Sequence, residues 1–476
     1  MLTPVDFSGR PFHFIGVGGI GMSALAYVLA QRSLPVSGSD QRENSLTQTL
    51  ESLGAKFFLG QTADNIQQLL PAVDSERKGL PQVVCSTAIP KDNAEYKEAI
   101  AQGCPIFHRS DILAGIMTQY RGIAIAGTHG KTTTSSALGQ TLLKAGLDPT
   151  VVVGGEVPEW GGNAHLGNSD LLVAEADESD GSLVKLKADI GVITNIELDH
   201  PDHYDSLDSV IGIFRTFEKN CKTLVGSIDC PTMRSHFKPD ITYSLDRSSG
   251  ANYTADAIEL GSQGVAADVY ENGDRLGRLQ LRLLGEHNLS NALAVVAITR
   301  HLGVEFSALA AGLGSFSGAK RRFEHRGTHG DIAFYDDYAH HPSEILVTLA
   351  AARQRLQSTA RESAEDAKSR RVIAVFQPHR FSRVAAFLDE FSVAFGDANC
   401  VVVTDVYAAG EKNETGLNGA AVAEAIAKHH PTVDYRSSLS DVTSGLTEIL
   451  QPGDLVIFLG AGNLNQVIPT IIERYT

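Results

Sequence analysis

Cysteine is scarce in this 476-residue chain. Its five cysteines, Cys85, Cys104, Cys221, Cys230 and Cys400, are scattered without a CxxC pair. That argues against a disulfide framework and against a thiolate zinc site, and it fits a reducing compartment. No apolar run is long enough to cross a membrane, and the chain does not open on a basic segment followed by an apolar one. A soluble, cytoplasmic protein with no membrane partner is therefore expected. Positive charge is also short: 40 Lys and Arg against 56 Asp and Glu give a net charge of −16, which disfavours nucleic acid as a partner. An anionic substrate must then be held by local groups against the overall field. No repeat of fixed period occurs. Apolar residues make up 43% of the chain, ample for several cores, and at roughly 150 residues per domain the length suggests about three domains.

Strand-like and helix-like runs alternate, which implies parallel sheets with crossover helices. The first block, 1–118, contains "FHFI" and "VVCST", the latter ending in the small residues Ser86 and Thr87. The pattern restarts at "GIAIAG" and runs from 119 to 320 through "LLVAEA" and "IGVITNI". Short β-prone runs with Gly and Asp turns fill its part near 222–285. A third block, 321–476, has the strands "IAFYDDY", "RVIAVFQ", "CVVVTDV" and "DLVIFLG". Its polar insert at 353–371 reads as a solvated helix with a loop.

Two glycine loops follow strands. Gly16, Gly18 and Gly21 in "FIGVGGIGMS" have G-x-G-x-x-G spacing, with Asp40 about twenty residues on. Tight strand–helix packing gives the same spacing without a ligand. Asp40 can meet the ribose of NAD or a feature of another nucleotide. The second loop, "GTHGKTTT" at 127–134, is a short P-loop in which backbone N–H groups cradle phosphate, Lys131 supplies a point charge and the Thr132 hydroxyl reaches Mg²⁺. With ATP there, a nicotinamide cofactor has no evident partner reaction, whereas a nucleotide-linked substrate uses both loops.

Glu175, Asp177, Glu178 and Asp180 in "VAEADESD" close a strand at the edge where α/β proteins place ligands; they suit Mg²⁺ or a solvated acidic turn. His200 and His203 in "TNIELDHPDHY" lack a third zinc ligand at useful spacing, and that stretch alone decides nothing. His287, Asn288 and Asn291 open a helix, where amides can read a purine edge or cap the helix. "GAKRRFE" at 318–324 is a local basic cluster, suited to phosphates or to a surface hinge. In "DDYAHHPSEI" and "FQPHRFSR", Arg380 and Arg383 can clamp a carboxylate, and His340 or His341 can orient or deprotonate an amine.

Taken together and in order, "HFIGVGGIGMSALA", "AGTHGKTTT", "EADESDGS", "TNIELDH", "EHNLSNALA", "AKRRFE", "DDYAHHP", "QPHRFSR" and "DVYAAGE" resemble the Mur ligases, the ATP-dependent amide-forming enzymes of peptidoglycan precursor synthesis. The resemblance implies three α/β domains: Rossmann-like for the UDP substrate, a central P-loop ATPase type, and Rossmann-like for the amino acid. It is nearest to the branch that adds L-alanine to the lactyl carboxylate of UDP-N-acetylmuramate through an acyl phosphate. A sister branch adds a preformed murein peptide to the same sugar. A nicotinamide oxidoreductase or a bare P-loop ATPase is the more distant alternative. By position, ATP falls to Gly127, Thr128, Gly130, Lys131, Thr132 and Thr133, with His287, Asn288 and Asn291 at adenine and ribose, Arg322 near the phosphates and Asp337 near the ribose. The UDP substrate falls to Gly16, Gly18, Gly19, Gly21, Asp40, Ser86 and Thr87, with Glu175, Asp177, Tyr338, Arg380 and Arg383 around its reacting end. Thr132, Glu175 and His200 hold Mg²⁺ or Mn²⁺, and Lys131, His340 and Arg380 are the catalytic candidates. Several relatives carry a carbamoylated lysine after the histidine; here the nearest basic residue is Arg215. A monomer or homodimer is expected, closing at hinges near 119 and 320.

Overall fold

The computed structural model describes residues 4–71, 79–360 and 370–475. Three sheets divide the strands in chain order. The first has five strands, Phe12–Ile15, Val36–Asp40, Lys56–Leu59, Gln82–Cys85 and Ile106–His108, in the spatial order third, second, first, fourth, fifth. Every pairing in it is parallel. Such strands are covered on both faces, which is why "FHFI" is wholly buried. Its one polar residue, His13, is satisfied internally by Glu95 (2.8 Å) and Ser37 (2.9 Å). The spatial order reverses between the first and fourth strands, so the glycine loop at 16–21 and the loop through Ser86 and Thr87 flank one crevice.

The second sheet has ten strands. Its parallel centre sets Arg121–Ala126 between Leu171–Glu175 and Ala188–Ile193. The β-prone run seen in the sequence forms the strands Tyr253–Gly261, Gly264–Glu271 and Asp274–Leu281, an antiparallel extension of that sheet. The third sheet has six strands, all parallel except the hairpin Glu324–His329 with Ile332–Asp337. The insert begins within the helix Pro342–Ala360, while 361–369 lies outside the described residues.

The two joints differ physically. One apolar core runs unbroken from the first sheet and its helices, through Ile112, Ile116 and Met117, to Ala164, Leu183 and Leu186 of the central block. The third block keeps its own cores and meets the central one mainly through charged and polar side chains. A joint held by polar side chains costs less to open than one sealed by a shared apolar core. Among the described residues no helix is long and apolar enough to cross a membrane.

Candidate active site

The central strand Arg121–Ala126 ends at Gly127, and the helix Lys131–Lys144 begins after Gly130. Both glycines have positive φ, +138° and +82°, and neither has room for a side chain. A Cβ at Gly127 would stand 1.9 Å from Thr194 Oγ1, and one at Gly130 would stand 2.5 Å from Asn291 Oδ1. The loop is therefore shaped by the "TN" stretch and by Asn291, and not by its own residues alone. Thr128 N–H donates to the Asn195 carbonyl (3.0 Å), and His129 N–H donates to Asn195 Oδ1 (2.8 Å).

Lys131 Nζ is folded into the loop, donating to the carbonyls of Gly127 (2.6 Å) and Thr128 (3.1 Å) and to Glu178 (2.7 Å). Burial alone would lower its pKa, yet the carboxylates of Glu178, Asp177 and Glu175 outweigh it and hold the ammonium charged. Glu178 is buried, and burial pushes its carboxyl up to about 7. Thr132 Oγ1 donates to Glu175 Oε2 (3.2 Å), while Glu175 Oε1 accepts from Gly154 N–H (2.6 Å) and Ser135 Oγ (3.0 Å). These are hard oxygen donors beside a phosphate loop, which is the donor set Mg²⁺ prefers. His200 has a positive φ of 54° and is kept neutral chiefly by burial.

A cavity of about 950 Å³ opens beside the loop. His129, Gly130 and Thr133 form one wall, His287, Asn288 and Asn291 a second, and Arg322 and Asp337 a third. Residues assigned to ATP from four separate motifs thus meet in one space. Burial holds the His287 imidazole neutral, near 4. Asn288 Nδ2 donates back to the Leu284 carbonyl (2.7 Å), so part of this amide serves its own turn. Asp337 accepts from the N–H groups of Phe323 and Ala339, each at 2.7 Å, and burial raises its acid to about 6.

Across the joint, Tyr338 lies under Arg321 and Arg322, which stand 4.9 and 5.3 Å from its ring centre. His340 Nδ1 is 2.9 Å from the Tyr338 carbonyl and so carries the proton, leaving the Nε2 lone pair free. Burial lowers His340 to about 3. Arg380 pairs with Asp202 and lies 3.6 Å from Glu411. Arg383 is only 1% exposed, and its Nε donates to Asp199 (2.8 Å). Its first task is therefore to cross-link the two domains, and in this arrangement it clamps a protein carboxylate.

In the first domain, Gly18 N–H donates to Asp40 Oδ2 (2.9 Å), so this carboxylate closes the glycine loop. Gly19 caps the helix Ile20–Gln31, and Gly21 lies against Arg109. The Ser86–Thr87 loop approaches Gly16 through Ile89. Asp177 is taken by Arg109 (2.6 Å), a residue the motif reading passed over. Glu197 and Glu344, which bracket His129 at 3.4 and 3.2 Å, were equally invisible, since their partner lies 68 and 215 positions away. Asp199 and Asp202 sit in a stretch the sequence left undecided, and each receives an arginine from the third domain.

Residues 11–121 match the Mur ligase family, catalytic domain; 125–299 match the Mur ligase middle domain; 321–462 match the Mur ligase, glutamate ligase domain. The chain belongs to the Mur ligase family, and its three-domain α/β architecture is that family's fold. Within the family it is similar to the UDP-N-acetylmuramate–L-alanine ligase of Nostoc punctiforme, 57% identical with 100% of this chain and 98% of the relative covered. The enzyme of that name from Acaryochloris marina is 56% identical over 100% and 97%. Among solved structures, the UDP-N-acetylmuramate–alanine ligase of Thermotoga maritima superposes with a TM-score of 0.79 at 27% identity, covering 98% of this chain and 99% of that one. A murein peptide ligase from Psychrobacter arcticus shares the fold (TM-score 0.71, 22% identity, 98% of each chain).

Proposed function

We infer that this chain is an ATP-dependent ligase that joins L-alanine to the lactyl carboxylate of UDP-N-acetylmuramate in peptidoglycan precursor synthesis. Full-length identity of 57% to a ligase of that name carries the reading, and the meeting of residues from four motifs around one cavity supports it. A carboxylate is a poor electrophile at neutral pH. ATP therefore phosphorylates it, the amine of alanine attacks the resulting acyl phosphate, a C–N bond forms and phosphate leaves. The first transfer needs positive charge at the γ-phosphoryl group more than covalent help. Lys131 supplies that charge by exchanging Glu178 for phosphate oxygens, with the loop carbonyls still holding its stem in register.

Thr132 and Glu175, with His200 nearby in the site, would hold Mg²⁺ or Mn²⁺, which supplies Lewis-acid charge at the phosphates. Gly127, Thr128, Gly130 and Thr133 offer backbone and hydroxyl donors, and His287, Asn288, Asn291, Arg322 and Asp337 take the nucleoside side. Gly16, Gly18, Gly19, Gly21, Ser86 and Thr87 line the crevice assigned to the UDP substrate, whose loop Asp40 keeps shut. Neutral His340 accepts a hydrogen bond from the incoming amine at Nε2 and orients it; with so low a pKa it does not retain the proton. Arg380 exchanges Asp202 and Glu411 for a substrate carboxylate. The enzyme acts in the cytoplasm, where its nucleotide substrates are, as a monomer or homodimer.

The deciding experiment measures phosphate release from Mg²⁺-ATP with UDP-N-acetylmuramate and, in turn, L-alanine, D-alanine, glycine or a γ-linked tripeptide. Release that requires both the UDP-sugar and L-alanine, with one alanine gained by mass, is the expected result. Turnover with the tripeptide alone would move the chain to the peptide-adding branch.

A further inference from the structure

We propose that His129, Glu197 and His341 form a second metal site, one for a single zinc-class divalent cation, at the junction of the P-loop and the third domain. One ligand atom from each residue lies within 4.8 Å of the other two. The two imidazole rings lie with centres 4.9 Å apart and planes tilted by 42°. Bonds of about 2.0–2.2 Å to a common cation place donors roughly 3.5 Å apart, so a contraction of up to about 1.3 Å closes the set.

The surroundings are built for such a role. His129 Nε2 is 3.4 Å from Glu197 Oε2, while its Nδ1 is 3.2 Å from Glu344 Oε1. That is the carboxylate–histidine pattern that fixes a ligating imidazole in place. Glu197 is tied to the loop by its N–H on Thr128 Oγ1 (2.9 Å), and its Oε2 accepts from Ser343 Oγ (2.7 Å). His341 is 4% exposed, and its Nδ1, which accepts from Ser343 N–H (3.3 Å), is the nitrogen that stands 4.0 Å from Glu197 Oε2. The site is reachable, because His129 and Glu197 also line the cavity.

Donor chemistry separates this cluster from the Thr132–Glu175 pair. Two imidazoles and one carboxylate suit zinc-class ions, whereas Mg²⁺ prefers all-oxygen sites and retains its waters. The cation takes the place of the proton that His129 shares with its two carboxylates. Two ligands come from the central domain and one from the third, so an occupied site pins the third domain onto the loop that must handle phosphate. Zinc is then an inhibitor that excess Mg²⁺ does not relieve. This inference does not depend on which substrate the ligase takes.

The test is Zn²⁺ binding to the chelator-treated full chain by equilibrium dialysis in millimolar Mg²⁺, followed by Zn K-edge absorption. We expect one equivalent bound at micromolar Zn²⁺, with two imidazole ligands in the spectrum. Affinity should fall at least tenfold in His341→Gln and Glu197→Gln and hold in His200→Asn. The absence of a bound equivalent, a spectrum with fewer than two imidazoles, or loss in His200→Asn with retention in His341→Gln would overturn it. The wild-type spectrum decides the matter even where a variant fails to fold.

Discussion

Arg383→Met removes one half of a buried ion pair that crosses the joint between the central and third domains. Arg383 and Asp199 are 1% and 6% exposed at a separation of 2.8 Å. Deleting one partner strands the other as an uncompensated buried charge, which costs about 3–5 kcal/mol. Their attraction holds the Asp199 acid well below the usual carboxylate range against its burial. The cost should fall on opening of this joint, because the elements on either side keep their own cores. Taking 3 kcal/mol, the opening equilibrium rises by roughly a hundredfold. Hydrogen exchange at pH 7, read on peptides covering 194–204 and 376–387, should accelerate by that factor, while the first domain stays unchanged. Asp199→Asn combined with Arg383→Met should be slower than Arg383→Met alone, since no stranded charge remains. Because the folded pKa of Asp199 is depressed, its contribution is complete above the unfolded value near 4 and is lost only as pH falls below it. The part of the protection that Asp199 supplies should therefore stay level from pH 5 to 8, and any loss below 6.5 belongs to the buried histidines. Unchanged exchange in Arg383→Met, or a double variant that opens as much as both single effects summed, would refute the reasoning.

Lys131→Ala should lower turnover by about a thousandfold or more, with binding of the UDP-sugar by calorimetry unaltered. Gly127→Ala forces a Cβ to 1.9 Å from Thr194 Oγ1, so ATP affinity and Tm should both fall; a loop that tolerates alanine would contradict the geometry. His340, His379 and His287 are held by burial near 3, 2 and 4, so the native chain leaves them neutral while the unfolded chain protonates each near 6.5. Stability should thus decline as pH drops through 6.5, and nitrogen NMR of His340, assigned with His340→Ala, should still report a neutral ring at pH 5.5.

The parallel sheets and both glycine loops were legible because short apolar runs ending in glycine leave little choice of geometry. The β-prone stretch near 253–281 was legible as strands. Its membership in the central sheet was not, since that rests on one short parallel pairing of Tyr243 and Ser244 with Tyr253 and Thr254. Within the candidate site, the places of Lys131 and Thr132 at the strand–loop–helix turn were legible from local spacing. Residues whose role comes from a partner far along the chain were not. Asp199 lies in a stretch that alone decided nothing, until the fold set it against a residue 184 positions away. Asp40 follows the glycine loop at a spacing that suits a nucleotide, and spacing alone could not show that its Oδ2 also accepts from Gly18 N–H.

The loop from Glu175 to Asp180 has two attachments that pull in different directions. Arg109, from the first domain, holds Asp177 at 2.6 Å and lies 3.4 Å from Asp180, while Glu178, one of the two residues between them, holds the P-loop lysine. A shift that draws Arg109 away alters the field around Lys131, and capture of Lys131 by phosphate alters what Arg109 meets. Thermodynamic reciprocity makes the two effects equal in free energy. Whatever factor the sugar nucleotide contributes to ATP affinity through this loop, ATP must return to the sugar nucleotide, so an order of addition here is a matter of rates and not of one substrate commanding the other.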